Sequence, residues 1–249
     1  MKVLSAYEKA RVYIEKHYEA SEEAKAQKRK LNPGPTITLS RQTGIGAVAI
    51  CEKLTEYFNS RAIEGYDDWT YFDRELIEKI MADHNLPEHF RKYLDEEKPP
   101  KIETWFGEIL GINPNKLLLL HKISQTILKL ADYGNVIIVG RGANIITAKR
   151  PNTFHIRLVA PLNYRIENAC RLYNIDYKTA ADFIKGEDEA RKNYIWKYFH
   201  KDIEDPLLYH VVINTNYLKT EEIAEMIGQC VIRRFPKFFV KNKMTIVNE

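Results

Sequence analysis

Cysteine is scarce in this 249-residue chain. Cys51, Cys170 and Cys230 are its three thiols, far apart and with no CxxC pair. That pattern excludes a disulfide framework and a thiolate zinc site, and it suits a reducing cytoplasm. Long apolar runs are also missing. No stretch approaches the roughly 18 apolar residues of a membrane-spanning helix. The opening MKVLSAYEKARVY lacks the apolar centre of a signal peptide. His84, His89, His121, His155, His200 and His210 show no metal-ligand spacing, so no metal site is expected. There is no internal repeat and no low-complexity stretch. Nor is there a large excess of one charge. The net charge of +4 and a pI near 8.7 suit a small anionic ligand. They are too weak and scattered for a nucleic-acid surface.

What remains is globular in character, with 45% hydrophobic and 29% charged residues. The length allows one α/β domain and an appendage. Residues 3–30 predict an amphipathic helix, with Val3, Tyr7, Ala10, Ile14 and His17 at 3–4 spacing. Lys28-Arg29-Lys30 suits the negative end of its dipole. Asn32-Pro33-Gly34-Pro35 then breaks the chain. Residues 1–35 therefore read as a helix and linker that pack on the domain or on a second subunit, forming a homo-oligomer.

From Thr36 the rhythm is strand then helix. Strands are predicted at Thr36–Ser40, Trp69–Phe72, Val136–Val139, Phe154–Val159 and Val211–Ile213. Helices are predicted after the first two strands, then at about 115–133, 161–173, 177–185, 187–201 and 220–234. Residues 96–104 form a polar connection. Strands separated by helices imply βαβ units and a parallel sheet covered on both faces. The fold class is thus a three-layer α/β sandwich with five parallel strands and an extra N-terminal helix. Ligands of such sheets sit at the carboxyl ends of the strands.

The segment TITLSRQTGIGAVAICEKL runs from strand through a turn with Gly44 and Gly46 into a helix. Glycine lets the backbone approach an anion, and the helix start supplies free N–H groups. A tight structural turn explains this one segment equally well. The ordered set SRQTGIG, YFDRELIEKI, VIIVGRGANII, FHIRLVAPLNYRIENACRLYNI, DEARKNY and HVVINTNYLKTEEIAEMI is more specific. Together these closely resemble the cytidylate kinase-like family, over about residues 36 to 232.

The resemblance implies a P-loop, nucleoside monophosphate kinase-like fold with a helical lid. The domain would span 36–235, with the lid at about 175–205 and a tail at 236–249. The implied activity moves the γ-phosphate of ATP, with Mg2+, to a nucleoside monophosphate, with a pyrimidine base as one candidate. Partners would be small-molecule nucleotides, and the setting cytoplasmic. By position, Gly44, Ile45, Gly46, Ala47 and Val48 would hold the donor. Asp73, Arg74, Arg141 and Asp188 would hold the acceptor. Arg165, Arg171 and Arg191 match arginines at and on the lid that steady the transferring charge. Arginine suits this task, because its planar fork pairs with phosphate oxygens and stays charged.

The chain departs from the usual GxxxxGK[ST] loop. Ala47 stands at the lysine and Ala49 at the hydroxyl. Arg41, three residues before Gly44, is the candidate substitute cation, with strand-end packing as its equal alternative. In base recognition, Val159 replaces an aspartate and Ile184 an arginine of the family pattern. That leaves two rivals open: a non-catalytic nucleotide-binding protein, and a kinase for another small acceptor. Other residues have plainer readings. Asp73 doubles as an N-cap for the helix starting at Arg74. Arg157 alternates with Ile156 and Leu158 and reads as a sheet-face or rim arginine. The Trp69-Tyr71-Phe72 and Trp196-Tyr198-Phe199 clusters read as core or lid packing.

Overall fold

The structure is a computed structural model that describes residues 5, 8–10, 12–14, 34–61, 68–73, 75 and 114–239, with 114–119 as backbone. The second predicted helix (Leu76, Ile77, Ile80, Met81), the 96–104 connection, Arg74 and residues 240–249 lie outside these residues. Five strands form one sheet: β1 (Thr36–Arg41), β2 (Thr70–Phe72), β3 (Val136–Val139), β4 (Thr153–Val159) and β5 (Val211–Asn214). Their order is β2-β3-β1-β4-β5, and every pairing is parallel. β3 is Val-Ile-Ile-Val and buried throughout, as a strand covered on both faces requires. β1 lies between β3 and β4, so its end opens at the middle of the sheet.

The helices are α1 (Ala47–Asn59), α2 (Pro114–Tyr133), α3 (Ala143–Ile146), α4 (Leu162–Tyr173), α5 (Tyr177–Phe199) and α6 (Thr220–Arg234). One core joins α1 and α6 to the sheet through Ile50, Leu54, Phe58, Ile223 and Ile227, with Ile37, Leu39 and Ile156. Phe58 stacks on Trp69 with ring centroids 4.2 Å apart. On the other face, Ile123, Ile127 and Leu130 of α2 pack with Phe72, Val136 and Ile138. The N-terminal helical residues Ala10, Tyr13 and Ile14 join that second core, and Tyr13 donates its hydroxyl to the Gly134 carbonyl. The described part of the N-terminal stripe therefore covers its own domain.

α4 and α5 share a small core of Ile166, Ala169, Ala180 and Ile184. α4 ends at Asn174 in a left-handed conformation, and Asp176 caps α5 by accepting from the Thr179 amide at 3.0 Å. α5 is one helix across 177–199, where the sequence predicts two. Gly186 falls between the two predicted ranges, yet glycine only weakens a helix, by about 1 kcal/mol against alanine. The short α3 is an addition to the predicted elements. Gly142 is its N-cap, straight after β3 and its turn.

Candidate active site

The loop between β1 and α1 is fixed from behind. Gln42 accepts from the Ala160 amide at 2.9 Å, and its own amide donates to Leu158 at 3.1 Å. Arg165 donates to the Thr43 carbonyl at 3.3 Å, and Asn168 to the Gly44 carbonyl at 2.6 Å. Gly44 has a φ of +85°, and a Cβ there would lie 2.5 Å from the Arg165 carbonyl oxygen. Only glycine allows the loop to press against α4 this way. Gly46, also left-handed, opens α1 with no side-chain cap. Among the described residues, the amides of Gly44, Ile45, Gly46 and Ala47 meet no acceptor. Unfilled amides at a helix start are an anion cradle. No cation follows them. Ala47 opens the helix, and the next residue, the strict hydroxyl position of the motif, is Val48 rather than Ala49. Neither carries a hydroxyl.

The lid helix is tied to this loop by one carboxylate. Asp188 Oδ1 accepts from the Thr43 amide at 2.8 Å, from the Thr43 hydroxyl at 2.6 Å and from Arg191 at 3.2 Å. Its Oδ2 pairs with Arg165 at 2.5 Å. Arg165 is buried and also donates to the Ala160 carbonyl at 3.1 Å. Arg191 adds a bond to the Thr43 hydroxyl and a pair with Glu187 at 3.2 Å. Loop, α4 and lid are thus one hydrogen-bonded unit.

Above the ends of β1 and β3 lies a cavity of about 290 Å³, lined by Arg41, Arg141, Glu187, Arg191, Tyr194 and Tyr209 among others. Arg41 ends β1 and makes no hydrogen bond or ion pair with the described residues. Burial pushes its guanidinium down to about 10, and Arg191 adds to the effect, against Cys51, Asp73 and Glu187. It stays charged at neutral pH. Its fit depends on Gly140: a Cβ there would lie 2.3 Å from Arg41 Nη1. Gly140, Arg141 and Gly142 are all left-handed, with φ of 81°, 55° and 69°. This bend, strained at Arg141, turns the chain from β3 into α3. The Arg141 guanidinium lies 5.8 Å from the Tyr194 ring centre of the lid. Beneath the loop, burial raises the Cys51 thiol to about 12, so it is an inert packing group.

Arg41, Arg141 and Arg191 therefore line one cavity, and Thr43 ties the glycine loop to it through Asp188 and Arg191. Arg165 joins it through Asp188. Asp73 ends β2 near enough to Arg41 to act on its charge. Arg171 lies on the exposed last turn of α4. It does not line the cavity, and its contact is with Asn168, at 3.5 Å. Ile184 is buried in the lid's own core, so that position presents no group to the cleft. Sequence reasoning missed Thr43, Asn168 and Tyr209. Of the two readings of Arg157, sheet-face and rim, the first holds: it is 5% exposed and donates to Ser40 at 3.0 Å. The available signal was a lone charge within the apolar strand FHIRLV.

Fold and cleft together define a kinase-like α/β protein of the phosphate-loop class. Residues 36–217 match the cytidylate kinase-like family, and the chain belongs to it. A cytidylate kinase of Thermoplasma acidophilum is 32% identical over 95 residues, 38% of this chain and 50% of that protein. A uronate isomerase of Corynebacterium glutamicum is 26% identical over 100 residues, 40% of this chain and 19% of that protein. The chain thus spans half or less of these curated relatives. A crystal structure of an uncharacterized protein from Eubacterium ventriosum superposes with a TM-score of 0.60, at 19% identity. It covers 80% of this chain and 98% of its own, and it supports the fold alone.

Proposed function

We propose that the chain transfers the γ-phosphate of ATP to a nucleoside monophosphate. The observation that carries this is a row of loop amides that meet no acceptor among the described residues, tied through Thr43 to Arg191, which lines a cavity with Arg41 and Arg141. The amides of Gly44 to Ala47 receive the donor phosphates. Arg141 and Asp73 face the acceptor from the ends of β3 and β2. Arg41 and Arg191 neutralise charge between the two. Arg165 is a positioning residue, because Asp188 and two carbonyls already hold it. Phosphoryl transfer asks for this kind of alignment and charge, and for little covalent chemistry. Among the described residues no cluster of His, Cys, Asp and Glu is arranged to hold a metal ion. Magnesium would be held mainly by the nucleotide phosphates with one or two carboxylates, so it needs no such cluster. No helix among the described residues is long and apolar enough to cross a membrane.

A second reading, a nucleotide-binding protein without catalysis, is favoured by Ala47 and Val48 in place of lysine and hydroxyl. A kinase for another small acceptor is favoured by Val159 and Ile184. The deciding assay is transfer from labelled ATP to a panel of ribo- and deoxyribonucleoside monophosphates. Transfer to one acceptor is the expected result, and Arg141→Ala should reduce it by orders of magnitude while leaving the protein folded. Near-wild-type turnover of Arg141→Ala overturns the site. Absence of transfer from folded wild-type protein moves the conclusion to the other readings.

A further inference from the structure

A second cavity, of about 440 Å³, adjoins the first and shares Arg41 and Arg191 with it. Gln42, Arg157 and Lys192 line its remaining sides, with Glu189 and Glu204. Arg157 is the unusual member. It projects from β4, directly across from Ser40 in register, and is 5% exposed. Its contacts are one hydrogen bond to the Ser40 hydroxyl at 3.0 Å and the Tyr209 ring at 5.7 Å. Among the described residues no carboxylate pairs with it. Asp188, the buried-side acid of the chamber, is already shared by Arg165 and Arg191. A buried cation without a counter-charge is costly unless a ligand supplies the anion.

Building on the kinase reading above, we infer that this chamber is a second anion subsite centred on Arg157. It takes a carboxylate or phosphate group of the acceptor, apart from the phosphate that Arg141 faces. Recognition by charge fits a chain that carries Val159 and Ile184 where its family reads a base.

The test uses the full chain with a non-hydrolysable ATP analogue filling the loop. Inorganic phosphate and malonate are titrated separately by calorimetry, which distinguishes a phosphate from a carboxylate preference. Wild-type protein and Arg157→Lys should bind at least one of them, and Arg157→Met should bind it at least tenfold more weakly. Analogue binding by Arg157→Met should be unchanged, which also reports that it is folded. No binding by wild type, or a loss below tenfold in Arg157→Met, overturns the inference. Should Arg157→Met not fold, Lys192→Gln on the exposed lid face decides: a threefold or greater loss supports the chamber, and a smaller one overturns it. None of these readouts needs turnover, so the chamber and the transfer reaction stand or fall separately.

Discussion

Replacing Asp188 with asparagine should loosen the whole lid. The carboxylate accepts from four donor atoms, two on Thr43 and one each on Arg165 and Arg191. Asparagine keeps one oxygen for Thr43. Its amide nitrogen then faces the Arg165 guanidinium, donor against donor. Breaking a buried ion pair from one side costs about 3–5 kcal/mol. The cost here should be smaller, because Arg165 retains the Ala160 and Thr43 carbonyls and the Asp188 side chain is 28% exposed. We expect a loss of about 2–3 kcal/mol, because the pairs with Arg165 and Arg191 both lose their anion. Urea denaturation reads it as a midpoint lower by about 1 M at unchanged slope, for a slope of roughly 2–3 kcal/mol/M. In a double-mutant cycle with Arg165→Met, the coupling should exceed about 1 kcal/mol. A change below about 0.5 kcal/mol, with no coupling, would mean that the lid is not tied to the loop in solution.

Acid should weaken the fold through His155, which is buried beside His210 with ring centres 4.8 Å apart. Burial, with His210 adding, lowers its pKa to about 4 from the usual 6.5. The unfolded chain therefore takes the proton first, and stability present above pH 6.5 is lost as pH falls towards 4. The loss is on the order of 3 kcal/mol at most, at 1.36 kcal/mol per unit. Urea midpoints at pH 7 and 4.5 should differ less in His155→Gln, and an unchanged difference refutes the assignment. Gly186→Ala should raise stability by about 0.5–1 kcal/mol, since no atom lies within 4 Å of the added methyl in α5. A lower melting temperature in that variant would show that the helix does not run straight through this position.

Much of this architecture is legible in the sequence, because apolar period and turn residues act locally. Val136–Val139 is an uninterrupted apolar strand. The last helix matches its predicted bounds, Thr220–Arg234, with acids in its first turn and arginines in its last. The arginines were legible as types suited to phosphate, but their connections were not. Asp188 reaches Thr43 across 145 residues, and nothing in the local pattern marks Thr43 as its partner. Arg157 shows a different limit. Alternation along β4 allows a sheet-face or a rim position, and only the place of β4 between β1 and β5 decides that its charge ends up inside. Burial on both sheet faces is a tertiary property, and alternation cannot express it.

In the proposed function Arg41 stands in for the absent lysine, and Gly140 gives a way to test this without touching the arginine. A loop lysine would bring charge from the helix side of the loop. In this reading Arg41 brings it from the end of β1, where the missing side chain at Gly140 leaves room for the guanidinium. Gly140→Ala should therefore act twice. The left-handed φ of 81° costs about 1–2 kcal/mol of stability. The added methyl also displaces the guanidinium, whose Nη1 lies 2.3 Å from its place. Transfer by Gly140→Ala should fall about as far as transfer by Arg41→Met, with ATP-analogue binding less affected than turnover. Combining the two changes should add little, because both remove the same charge from the same place. Full activity in Gly140→Ala alongside an inactive Arg41→Met would show that Arg41 acts from a position other than the one at the end of β1.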